Sequence, residues 1–96
     1  MRVLVEDKEY NVIKDYGETL STINLGEYIT EYYNNFDYIV GDWAYGKLRL
    51  KGFNRHGGKY TKSYNDYNKV PEYLEKECAY GCKHFILEKV RIEKNK

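Results

Sequence analysis

The sequence predicts an α+β fold: a single small domain with a mainly antiparallel sheet and two helices, in the order ββαββαβ. Three observations carry this expectation. The spacing of apolar residues switches from alternation to a helical period and back along the chain. The connections are mixed in length, unlike the regular crossovers of a parallel α/β sheet. The 96 residues, 42% apolar and 32% charged, suit one modest globular core and not a disordered chain. No repeat, linker or low-complexity run interrupts residues 1–96, which are expected to form one domain.

The elements follow in chain order. "RVLVE" and "YNVIK" are β-rich runs separated by "DKE" and predict a hairpin over residues 2–14. Leu25, Tyr28, Ile29, Tyr32, Tyr33 and Phe36 then recur at the spacing of one helical face. A helix is expected over about residues 24–35, with Asn24 and Glu27 as a capping box and "NN" as its end. Its aromatic stripe reads most simply as core, since a helix must bury one face.

"YIV" at 38–40 and "KLRLKGF" at 47–53 predict the next two strands, with "GDWAYG" between them as a wide loop closed by Gly41 and Gly46. Asp42 within it reads as a turn former. In the second strand Leu48 and Leu50 point towards the core, which sends Arg49, Lys51 and Phe53 to the opposite, solvated face. "NRHGGKYTKSYNDYN" reads as a mobile loop that pairs briefly around residues 60–64. Pro71 opens a second helix, "PEYLEKECAY", which Gly81 stops. "KHFILEKVRI" is the final strand, residues 83–92, and "EKNK" a frayed tail.

The net charge of +1 hides a segregation of sign. Residues 1–46 hold nine acids and three bases, whereas residues 47–62 hold six bases and no acid. Such asymmetry speaks about partners, not about fold. Lys47, Arg49, Lys51, Arg55, Lys59 and Lys62 are interleaved with Phe53 and Tyr60 and preceded by Trp43 and Tyr45. Cations would neutralise phosphates and rings would stack on bases, the two ingredients of RNA or single-stranded DNA binding. The competing reading is that lysines keep a strand soluble and that Trp43 and Tyr45 are core residues. A third is a protein-interaction or regulatory module whose positive strip meets an acidic protein.

Named chemistries fare less well. "GFNRHGGK" lacks the first glycine of a phosphate-binding loop, where Phe53 stands, and the hydroxyl residue after the lysine, where Tyr60 stands. "KGFNRHGGKY" departs from the RNA-recognition strand motif at Asn54 and Arg55. The first predicted helix is acidic and would repel a duplex backbone. Cys78, Cys82, His84 and His56 have zinc-compatible chemistry but no standard spacing, so no metal or other cofactor is expected. Two cysteines do not make a disulfide framework, and each is read as a free thiol. Asp42, His56 and the tyrosines are the local acid–base candidates, but no catalytic motif joins them, and the chain is not expected to be an enzyme. The N-terminus lacks a secretory signal and no window reaches a membrane-spanning apolar length, which predicts a cytoplasmic protein.

The motifs "DYIVGDWAYGKLRLKGF" and "EYLEKECAYGCKHFILEKV", together with "EYITEYYNNF" before them, resemble the YutD-like family of small proteins from Gram-positive bacteria. The resemblance implies a single cytosolic α+β domain. It carries at most a loose label of transcriptional regulator and supplies no site residues to transfer.

Overall fold

In a computed structural model describing residues 2–5, 8–77 and 82–90, the predicted first hairpin forms between β1 (Arg2–Val5) and β2 (Lys8–Tyr16), with Val3 opposite Tyr10. β3 (Tyr38–Ala44) and β4 (Lys47–Phe53) make a second antiparallel hairpin, and β5 (His84–Lys89) pairs antiparallel with both β2 and β3. The sheet order is β1-β2-β5-β3-β4, so the last strand joins the two hairpins at the centre. The fold is α+β and antiparallel, as expected, but the helix count differs.

The first expected helix is absent. Its place is taken by 3-10 turns over Leu25–Glu27 and Glu31–Asn35, preceded by another over Thr19–Thr22. Thr30 breaks the run: its backbone is extended, and its hydroxyl accepts a hydrogen bond from the Tyr32 N–H. Gly26 and a sequence rich in β-branched, aromatic and Asn residues give little helical propensity to resist that local bond. The Asn24 cap does form, accepting from Gly26 N at 3.1 Å, but it starts a turn and not a helix. Half of the predicted stripe is still core. Leu25 and Ile29 are buried and Tyr33 packs against them, while Tyr28 and Tyr32 face solvent.

The second helix, α1 (Val70–Glu77), forms with Pro71 in its first turn, where a missing N–H leaves no bond unmade. The Gly81 stop, Cys78 and the frayed tail lie outside the described residues.

The expected wide loop between β3 and β4 is also replaced. β3 runs on through Gly41, Asp42 and Trp43, and only Tyr45 and Gly46 turn the chain. Both have positive φ, 55° and 76°, the backbone of a tight hairpin turn whose twist matches its strands. Gly41 serves close approach instead of turning: an added Cβ would stand 2.3 Å from Cζ of Phe85. Gly52 gives the same room to the ring of Phe36. The two glycines are seats for aromatic rings on one face of the sheet.

That face carries Tyr10, Ile39, Phe85 and Leu87 under the 3-10 segments, with Leu48 and Leu50 packed alongside as predicted. The other face is not simply solvated. α1 and the turn Tyr67–Lys69 cover part of it, burying Val40, Phe53, Val70 and Ile86. Residues 54–66 form no strand pair around Tyr60–Tyr64. They are tied down at their ends, where Asn54 N donates to Asn65 O at 2.6 Å and Tyr67 N to Asn54 O at 2.8 Å.

Candidate functional site

The cationic strip predicted over residues 43–62 is divided by the fold. Arg49 donates to both oxygens of Asp42, each at 3.1 Å, across the β3–β4 ladder. Asp42 has no solvent exposure, so it is a buried strand carboxylate held by Arg49 and not a turn former. Lys51 lays its ammonium 5.3 Å from the Phe53 ring centroid and 6.0 Å from that of Tyr73. Phe53 is fully buried and meets Tyr73 edge to face, so it offers no stacking platform while the domain is folded. Trp43 is half-buried with its ring against Phe85. Tyr45 is fully exposed at the hairpin tip.

Distance divides the strip further. Lys47 begins β4 beside the hairpin tip, and Arg55 lies two residues past the strand's other end. At the rise of an extended strand they are ~25 Å apart.

The predicted residues that do gather are Arg55, Lys59 and Tyr60. The topology explains where. β2 and β3 begin, and β5 ends, at one edge of the sheet; Tyr10 faces Lys89 and Tyr38 faces Glu88 there. β4 also ends there, and the segment that follows it folds over the strand ends. The result is a cleft of about 810 Å³ lined by Lys8, Asn34, Asp37, Arg55, Lys59 and Lys89 among others, with Tyr60 on its wall.

The wall is hydrogen-bonded in detail. Asp37, nearly buried, accepts from the Arg55 N–H at 2.8 Å, and its own N–H donates to Phe53 O and Asn54 Oδ1. Asn54 Nδ2 donates to the Tyr60 carbonyl at 3.3 Å. Thr61 Oγ1 donates to Arg55 O at 2.6 Å and accepts from Gly58 N. The Lys89 ammonium donates to the Asn34 carbonyl. Arg55 reaches Glu88 at 3.7 Å. Lys62 is exposed beyond the cleft, its N–H donating to Asn65 Oδ1.

His56 pairs with Asp66, Nδ1 to Oδ2 at 2.7 Å. Asp66 also accepts from Asn68 N, which caps the turn leading into α1. The Asn68 N–H, followed by the His56 bond, holds the Asp66 carboxyl below its ordinary value. His84 sits on β5 with Tyr16 stacked on it and Nδ1 3.1 Å from the Cys82 carbonyl; its Nε2 is buried without a hydrogen-bond partner. Cys82 is disulfide-bonded and not the expected free thiol. Among the described residues no three His, Cys, Asp or Glu side chains come close enough to hold a metal ion. Among them, too, no helix is long and apolar enough to cross a membrane.

Lys8, Asn34, Asp37 and Lys89 were not singled out by sequence reasoning. They come from segments far apart in the chain and meet only through strand order, so no local motif marks them.

Residues 4–88 match the family described as "Putative antitoxin YutD-like". The chain is 29% identical over 89 residues to the protein named "Putative antitoxin YutD" of Bacillus subtilis (strain 168), spanning 93% of this chain and 98% of that one. The fold superimposes on the solution NMR structure of protein yutD from B. subtilis with a TM-score of 0.74 and 28% identity, covering 99% of this chain and 86% of that chain.

Proposed function

The chain belongs to the YutD-like family, and from that premise we propose that it is a non-catalytic domain that binds a protein partner. The B. subtilis relative carries the name "Putative antitoxin YutD"; on this chain such a role would be exerted by occupying a protein surface. The observation that carries the reading is the closure of Arg49 on the buried Asp42. With Phe53 inside and Arg49 closed on Asp42, the strip loses the continuous row of phosphate contacts and stacking faces that RNA or single-stranded DNA would require.

What the domain does present is tyrosine. Tyr32, Tyr45, Tyr60 and Tyr64 all stand well exposed. Tyrosine supplies apolar area and a hydrogen-bonding tip at small entropic cost, a combination favoured in protein interfaces. The non-catalytic part of the proposal is supported by Asp42, which is buried and bound to Arg49 and so out of reach of a substrate.

The test is capture of partners on the tagged chain, split into nuclease-treated and untreated halves, followed by reconstitution from purified components. The expected result is a protein that survives nuclease and forms a stoichiometric complex. Loss of every partner on nuclease treatment overturns the reading in favour of nucleic acid.

A further inference from the structure

We propose that the cleft where β2 and β3 begin and β5 ends receives an acidic segment of the protein partner, with Lys8 and Lys59 as the cations that meet its carboxylates; the inference rests on the protein-binding reading above. The cleft collects four cations, Lys8, Arg55, Lys59 and Lys89, against two carboxylates, Glu9 and Asp37. Both carboxylates already have partners: Asp37 accepts from the Arg55 N–H, and Glu9 pairs with Arg2 at 3.7 Å. Arg55 and Lys89 are likewise engaged, with Glu88 and the Asn34 carbonyl. Lys8 and Lys59 differ. Among the described residues neither has a carboxylate within ion-pair distance, and Lys59 rests 5.5 Å from the Tyr60 ring centroid.

The ligand chemistry follows from what surrounds these two ammonium groups. The exposed Tyr60 ring gives a peptide an apolar surface to lie on, and the Asn34 side chain adds a polar contact. A phosphate is served less well. The Gly58 N–H, which a glycine-containing loop would offer to phosphate, already donates to Arg55 O and Thr61 Oγ1. Glu9 and Asp37 would also repel a dense dianion more strongly than singly charged side chains spaced along a peptide.

The test is an amide NMR titration of the full chain at low salt with hexaglutamate, hexalysine and oligouridylate. Hexaglutamate is expected to shift the amides of Asn34, Lys59, Tyr60, Thr61 and Val90, and hexalysine to leave them. Lys8→Glu/Lys59→Glu should weaken the hexaglutamate response about tenfold or more, the scale set by losing two partly exposed ion pairs and gaining repulsion. Lys47→Glu, at the far end of β4, should not. Lys8→Gln/Lys59→Gln removes charge without adding it and should weaken the response in the same direction with amide dispersion intact. Undiminished hexaglutamate binding by both double variants overturns the proposal, as does an oligouridylate response on the same amides at lower concentration. A captured protein that binds Lys8→Glu/Lys59→Glu as well as the native chain removes the cleft but leaves the protein-binding reading standing.

Discussion

Asp42 and Arg49 face each other across β3 and β4, and the guanidinium closes on a carboxylate that no solvent reaches, with both N–O distances at 3.1 Å. Burying a carboxylate is costly unless a cation and its hydrogen bonds accompany it. One cation of the basic stretch is therefore part of the sheet's own construction. A charge that looks available in the sequence is used by an acid seven residues earlier.

Arg49→Ala is expected to destabilise the domain by about 3 kcal/mol, because it strands a buried charge. Lys47→Ala, at an exposed strand end, should stay within about 0.5 kcal/mol of the native chain. Urea unfolding of the two variants checks the contrast. Asp42→Leu/Arg49→Met, which removes both charges, should recover much of the loss.

Gly41→Ala places a methyl group 2.3 Å from the Phe85 ring. Overpacking of this kind should cost roughly 1–3 kcal/mol. Gly41→Ala/Phe85→Leu should recover part of that cost, since the smaller side chain vacates the space. Thermal melts of the single and double variants read the difference. Equal stability of native and Gly41→Ala chains would mean the ring does not sit over the strand.

The Asp66 carboxyl is held below its ordinary value of 3.8 by the Asn68 N–H and then by His56. A depressed folded value means that its contribution is present above the unfolded value and is lost as pH falls through the folded one. Asp66→Asn should therefore unfold at lower urea than the native chain at neutral pH, with the gap closing below pH of about 4. A gap that widens on acidification would contradict the assignment.

Tyr45 occupies the left-handed region with φ 55° and has its ring wholly in solvent. Asn adopts that backbone more readily, and Asn-Gly is a favoured pair in such a turn. Tyr45→Asn should raise stability by about 0.5 kcal/mol while weakening any complex that uses the hairpin tip. A melt paired with partner affinity reads both effects.

The strands were legible because their patterns are local. Leu48 and Leu50 alternate with Arg49 and Lys51, and the leucines do face the core. Alternation shows that Arg49 turns to the other face, but not that Asp42 waits there, since nothing in "GDWAYG" distinguishes a strand carboxylate from a turn former. The first expected helix is replaced by turns for a related reason. Leu25, Ile29 and Tyr33 keep helical spacing and supply core side chains, but 3-10 turns deliver those residues to the same place once Thr30 offers its hydroxyl to the backbone. Half of the cleft was hidden for a topological reason. Arg55, Lys59 and Tyr60 lie close together in the sequence, whereas Lys8 and Lys89 join them only because β5 lies between β2 and β3.

On the proposed reading, the basic strip is broken at Arg49 and Phe53, and the exposed chemistry is addressed to protein. A low-salt titration with labelled single-stranded RNA, comparing the native chain with Lys47→Glu/Lys51→Glu, tests it most directly. No saturable binding by either is expected. Saturable binding by the native chain that falls steeply with salt and disappears in the double variant would contradict it.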